Sequence, residues 1–444
     1  MAKKDKPNSP PTGLFARSKE LLGLAAKMGQ KELSSRVSSL VADNPQVGKS
    51  LAKLQTQLTQ AQMLVDSLSH LRGAAMKAGQ MLSIEAADYL PPEVIKILSK
   101  LHDSSETMAF EDVSKILEKE LGADTLTTLS SLTETPIASA SIGQVHKAQY
   151  DGQEIALKIQ FPGVDKSLES DVYLLKKIAN AFVKIQGKDI QLDDLFEEFI
   201  DILKQEVDYL KEASHMTRYR EMLASDPRYV IPIAIPNLTT SRVLGMTYES
   251  GMRPQDWLDS SPSDEERDFF ARAFLDLYVS EFYRHGFVQT DANFGNFLIR
   301  PREKQLVLLD FGAMKVFDED FRNQYRTLLK LIQTGNDEEI FQFAVEIGML
   351  DSRESKECQK AFGDMLRLSV APFEGEGTAF DFGSSEYSTQ MNEKSMKFTR
   401  LIRYSPPPKN ILFLHRKLSG LFRLLQSMKV KITLQEYWEN FVSV

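Results

Sequence analysis

FVQTDANFGNFLIRPREKQLVLLDFGAM, residues 287–314, sets two acids and an amide at defined intervals. Asp291 is followed five residues later by Asn296, and an apolar run then leads into Asp310-Phe311-Gly312. Moving a phosphoryl group needs negative charge neutralised and two oxygens aligned, which metal ions held by carboxylate and amide oxygens supply. This stretch carries those donor types. Each residue alone is an ordinary turn former: a second Asp-Phe-Gly, at 381–383, sits in a Gly/Ser-rich stretch with no apolar strand before it. That copy is read as solvated turn. Order, spacing and strand context together set the first copy apart.

In the protein-kinase pattern a loop Asp positions or deprotonates the nucleophile, an Asn five residues on binds metal, and the Asp of Asp-Phe-Gly binds metal after a strand. Asp291, Asn296 and Asp310 match it, with KQLVLLDFG supplying the strand. Upstream, Lys158 lies in the alternating strand EIALKI, where that pattern places a lysine on the nucleotide phosphates. Its carboxylate partner is expected on the long amphipathic helix read over 192–224, where EVDYLKE offers Glu206, Asp208 and Glu212. On a continuous helix Asp208 and Glu212 share a face and Glu206 does not, so periodicity leaves the choice open. The phosphate loop reads IASASIGQVHKA, with Ala138, Ala140, Ser141 and Gly143 in place of three glycines. Small residues permit a close turn, but a stiffer one than glycines give. The backbone from Met246 to Glu249 is the expected adenine contact. After Asp310-Phe311-Gly312 the chain runs through AMKVFDED straight into a helical pattern, without the Ala-Pro-Glu and long segment on which a peptide substrate docks.

The chain has 444 residues, 42% of them hydrophobic, enough for one large core or two to three smaller ones. Its formal net charge of −8 argues against a general nucleic-acid binder, which carries a basic surface to neutralise phosphates. The single cysteine, Cys358, has no internal disulfide partner and no metal-ligand cluster around it. No apolar run reaches the roughly 18–20 residues needed to cross a bilayer, and the N-terminus lacks the apolar core of a secretory signal. A reduced cytoplasmic protein, in peripheral contact with a membrane at most, is the expectation.

Residues 1–12, rich in charge and proline, read as a disordered arm, and 13–105 as a helical extension. Leu14, Phe15, Leu21, Leu22 and Leu24, interspersed with Arg17, Lys19 and Lys27, fit an ordinary surface helix, with an interfacial helix as the alternative. Residues 106–250 form a small sheet lobe, with Asp151-Gly152 as a hairpin turn, and 251–444 a mostly helical lobe. The stretch FEGEGTAFDFGSSEYSTQ reads as a mobile loop. The fold class is therefore α+β: a bilobal protein-kinase-like fold with an N-terminal helical extension and a mostly helical C-lobe.

KAGQ (Lys77 to Gln80), ASASIGQVHKA, ALKIQFPGV, EVDYLKEA, TDANFGNFLI and LLDFGA together resemble, in order, the signature regions of the UbiB family of atypical protein-kinase-like proteins. FLHRKLSGLFRLL is similar to that family's late helix. The resemblance implies that a helix bearing Lys77 and Gln80 folds over the nucleotide site as a regulatory element. Lys77 then reaches Glu206 or Asp208, which leaves Glu212 to Lys158. It further implies ATP and Mg2+ as cofactors, an ATPase-like or small-molecule activity, and a link to ubiquinone and isoprenoid lipids. Quinone precursors or another lipid acceptor, and quinone-biosynthesis enzymes, would be the partners. Gln289 and Ala292 depart from the His and Pro common in the family; a glutamine still hydrogen-bonds backbone, so local geometry is expected to survive. A nucleotide-binding scaffold without turnover is the alternative, and a Ser/Thr protein kinase a further one.

Overall fold

The structure, a computed structural model, describes residues 107–140, 142–185, 192–291, 293–374, 377–405 and 409–442. The expected arm and helical extension, with Lys77 and Gln80, lie outside the described residues, as do Ser141 and Ala292.

Helix α1 (Phe110–Leu121) opens on Glu111 and Asp112, carboxylates that suit the positive end of a helix dipole, and a short α2 (Ala123–Thr127) follows. Strands β1 (Leu129–Ser130), β2 (Ala138–Ala140), β3 (Gly143–Tyr150) and β4 (Gln153–Gln160) come next. Asp151 and Gly152 turn the β3–β4 hairpin at φ 50° and 76°, the left-handed pair that a two-residue turn between twisted strands requires. Along β4, Ile155, Leu157 and Ile159 pack with Val113 and Leu117 of α1. The period of two sends Ala156, Lys158 and Gln160 to the opposite face.

After α3 (Val164–Ile185) the expected single helix is two, α4 (Asp193–Glu206) and α5 (Tyr209–Met222). Tertiary bonds impose the break. Gln160 Nε2 donates to the Val207 carbonyl at 2.9 Å and Tyr209 N–H to the Ser241 carbonyl at 3.2 Å. Asp208 then caps α5, accepting from Leu210 N–H at 3.2 Å and Lys211 N–H at 3.3 Å. Past β5 (Tyr229–Val230), β6 (Val243–Thr247) completes the antiparallel sheet in the order β1-β3-β4-β6, with β2 on β3.

Helix α6 (Pro254–Asp259) leads to α7 (Asp264–Tyr278), which starts in a Ser263–Glu266 capping box and widens into a π-helical turn, Val279–Arg284. Strands β7 (Phe287–Gln289), β8 (Phe297–Arg300), β9 (Gln305–Leu308) and β10 (Met314–Val316) follow. Two small sheets result: β7 pairs antiparallel with β10, and β5-β9-β8 lie side by side. Helices α8 (Glu319–Thr334), α9 (Asp337–Glu346) and α10 (Lys356–Val370) come directly after.

The expected mobile loop is largely ordered. β11 (Phe380–Asp381) pairs with β12 (Lys431–Ile432), and α11 (Ser385–Leu401) starts within the Gly/Ser-rich stretch, capped by Ser384. Aromatic packing outweighs the glycine content: Phe382 meets Phe380 and Phe422 edge to face, with ring centroids 4.8 Å and 5.3 Å apart. Asp381 of the second Asp-Phe-Gly pairs with Lys431 at 3.0 Å. Phe422 belongs to α12 (Lys409–Met428), and α13 (Gln435–Val442) follows β12.

Candidate active site

Strand register brings the three metal-type donors together. Phe297 is paired with Leu308, and Leu309 N–H donates to the Asn296 carbonyl at 2.9 Å, so Asn296 and Asp310 flank the same end of the β8–β9 hairpin. The β7–β10 pair closes the other side, where Thr290 N–H donates to the Ala313 carbonyl at 2.9 Å. Asp291 is thereby fixed beside them: Asn296 Nδ2 donates to its Oδ2 at 3.3 Å. That bond uses the amide nitrogen and leaves the amide oxygen as the atom for a cation. Asp310 Oδ1 accepts from Gly312 N–H at 2.9 Å, which sets the carboxylate's orientation. Gln289 donates from Nε2 to the Asp310 carbonyl at 2.6 Å.

Lys158 reaches this cluster from the sheet. Its Nζ lies 2.7 Å and 3.0 Å from the two Glu212 oxygens and 3.6 Å from Asp310 Oδ1. Of the three acids left open by periodicity, Glu212 takes the lysine. Burial disfavours the Lys158 ammonium, but the Asp310 and Glu212 carboxylates outweigh it and hold its pKa well above the ordinary lysine value. Burial pushes Glu212 up to about 7 against the pull of Lys158, with Asp310 adding to the rise. Asp208 is the α5 cap, while Glu206 is buried with its Cγ 3.3 Å from where a Gly312 Cβ would stand. The α4–α5 break is what separates these two acids.

Helix α5 grips the Asp-Phe-Gly turn with three residues at helical spacing. Glu212 accepts from Phe311 N–H at 3.4 Å, His215 Nδ1 donates to the Phe311 carbonyl at 3.0 Å, and the Tyr219 ring lies 5.2 Å from that of Phe311. A carbonyl only accepts, so the His215 proton sits on Nδ1; burial keeps this imidazole below its ordinary pKa.

The small-residue loop is tighter than the sequence indicates. Ala138 pairs with Val145 and Ala140 with Gly143, so both alanines are strand residues and the turn is reduced to its tip. A Cβ on Gly143 would collide with the Ile159 carbonyl and stand 2.9 Å from the Tyr209 hydroxyl. Close strand packing requires this glycine. In the expected adenine segment, Met246 pairs with Ala156 and is buried. Glu249 is joined to Arg300 at 2.6 Å, and Thr247 and Tyr248 N–H groups already donate to the Ile233 and Glu154 carbonyls.

Sequence reasoning missed two cations on α12. Arg416 Nη2 lies 3.1 Å from Asp291 Oδ1, and Lys417 Nζ 3.0 Å from Glu281 Oε2. All four side chains are at most 9% exposed. The signal was present: an adjacent Arg-Lys pair inside a Leu-rich helix must find carboxylates if the helix is buried. Among the described residues no three His, Cys, Asp or Glu side chains converge as an all-protein metal cage. One carboxylate and one amide oxygen fit Mg2+, which takes one or two protein donors and completes its shell with phosphate and water.

A lysine–glutamate pair facing a loop Asp, an Asn and an Asp-Phe-Gly across two lobes defines a protein of the protein-kinase-like class. Residues 100–344 match the ABC1 atypical kinase-like domain. The chain is 32% identical over 434 residues to "Atypical kinase COQ8, mitochondrial" of Saccharomyces cerevisiae, covering 97% of this chain and 85% of that one. It is 33% identical over 386 residues to "Atypical kinase COQ8B, mitochondrial" of Rattus norvegicus, covering 86% and 71%. In fold it is similar to the Mycobacterium tuberculosis protein Rv3197, solved with erythromycin: TM-score 0.60 and 24% identity over 89% of this chain and 100% of that one. The chain belongs to the ABC1, or UbiB, family of atypical kinase-like proteins. Among the described residues no helix is long and apolar enough to cross a membrane.

Proposed function

We propose that the protein binds Mg2+-ATP between the lobes divided near residue 250 and couples its hydrolysis, or phosphoryl transfer to a small acceptor, to isoprenoid-lipid or ubiquinone metabolism. The observation that carries this reading is the convergence of Lys158, Glu212, Asp310, Asn296 and Asp291 from four segments: β4, α5, the β7–β8 loop and the turn after β9. Lys158, held by Glu212, would contact the phosphates; the loop segment of Ala138, Ala140, Ser141 and Gly143 would cover them. The backbone from Met246 to Glu249 would receive adenine through groups not already engaged. Asn296 and Asp310 would hold Mg2+, which neutralises phosphate charge when bound. Asp291, held in place by Arg416, would position or deprotonate the attacking water or hydroxyl.

Only residues 313–318 separate Asp310-Phe311-Gly312 from α8, and β10 takes up half of them. That leaves no platform for an extended peptide, which supports a small acceptor over a protein substrate. Lys77 and Gln80, with Glu206 and Asp208, would form the regulatory element of the family. The quinone link rests on the UbiB resemblance and on the COQ8 relatives, and peripheral membrane contact would give access to such lipids. The test is ADP release from Mg2+-ATP by wild type and Asp310→Asn, with and without vesicles containing a polyprenylated phenol. Turnover stimulated by the lipid and reduced by orders of magnitude in the variant is expected. Equal turnover in both proteins would overturn the site; nucleotide binding without turnover would favour a scaffold.

A further inference from the structure

Glu281 is a fully buried carboxylate that takes no part in the metal and phosphate constellation. It lies in the π-helical turn at the end of α7, a rare backbone form that recurs at functional positions because the extra residue re-aims a side chain. Its Oε1 accepts from the Tyr219 hydroxyl at 2.6 Å, from Gln289 N–H at 3.2 Å and from Lys417 Nζ at 3.2 Å. These partners come from three elements, each already committed to the site. Tyr219 is on α5, two turns beyond Glu212; Gln289 ends β7, two residues before Asp291; Lys417 follows Arg416, which holds Asp291. A buried carboxylate is strongly unfavourable unless paired, so each partner is also held by it.

We propose that Glu281 is a positioning residue that fastens α5, β7 and α12 into one unit, so that Glu212 and Asp291 keep a fixed separation. Helix α5 then cannot swing independently of the Asp291 loop, and the geometry of the site depends on how α12 is seated. The consequence for rate rests on the nucleotide reading above; the consequence for backbone order does not.

The test uses the full chain carrying Tyr219→Phe, Glu281→Gln, or Glu281→Gln with Lys417→Met. Tyr219→Phe removes the hydroxyl and keeps the ring on Phe311 and Phe287. The double variant removes both buried charges together, so that neither is stranded. Amide exchange of the 285–293 segment is followed alongside kcat and KM for Mg2+-ATP and the thermal midpoint. In the folded double variant, Gln289 exchange is expected to quicken about tenfold while β3 and β4 keep wild-type protection, and kcat to fall about tenfold with KM unchanged. Tyr219→Phe is expected to move the same quantities in the same direction by less. A purely structural ion pair would instead shift the midpoint alone. Wild-type Gln289 exchange and kcat in a folded double variant would overturn the proposal. If wild type itself shows no turnover, the nucleotide reading fails, and the exchange result decides the positioning role.

Discussion

Arg416→Met removes the cation 3.1 Å from Asp291 Oδ1, in a pair whose side chains are 5% and 8% exposed. At an effective dielectric of about 20, two unit charges at that distance attract by about 5 kcal/mol. Desolvation of both ions offsets much of that when the pair is weighed as a whole, but removing one partner leaves the other's desolvation uncompensated. Such losses run at about 3–5 kcal/mol. Asn296 still donates to Asp291, so a loss of about 3 kcal/mol is expected here. Asp291→Asn with Arg416→Met removes both charges and should be destabilised by clearly less than the two single variants summed. Urea titrations of wild type, both singles and the double give the coupling energy, expected at about 2 kcal/mol. A coupling below about 0.5 kcal/mol would refute the view that this pair fixes the Asp291 loop.

Lys158→Met deprives the phosphates of a charged donor and should weaken Mg2+-ATP binding about 10- to 100-fold by calorimetry, with Glu212→Gln weakening it less. Gly143→Ala puts a methyl group into the Ile159 carbonyl and is expected to destabilise by about 1–3 kcal/mol, read from urea midpoints. Burial lowers His415 to about 4 from its ordinary 6.5. The folded ring stays neutral while the unfolded chain takes up a proton, so its contribution is present above pH 6.5 and lost as pH falls toward 4. The ceiling is about 3 kcal/mol, less because the residue is only partly buried, and His415→Gln should flatten the acid side of the stability profile accordingly.

The sequence was most legible where local rules and tertiary structure agree. The Asp291, Asn296 and Asp310 spacing is the signature of a loop, hairpin and turn, and the register of β8 on β9 realises it residue for residue. The alternation in EIALKI places Lys158 on the inward face for the same reason. Legibility ended where long-range bonds decide. No local signal marks the α4–α5 break, because Gln160 and Ser241, distant in sequence, hold its backbone. The Gly/Ser-rich stretch was misread because Phe382 and Tyr387 find a partner in Phe422 of α12, more than 30 residues on. Arg416 and Lys417 escaped because a Leu-rich helix looks like core, although two cations in its midst already called for buried acids.

The most direct measurement is calorimetric titration of the full chain with ATP, with Mg2+ and with the metal chelated, for wild type and Asp310→Asn. Saturable wild-type binding that needs Mg2+ and weakens by at least about tenfold in Asp310→Asn is expected. ATP binding indifferent to both the metal and that carboxylate would contradict the account.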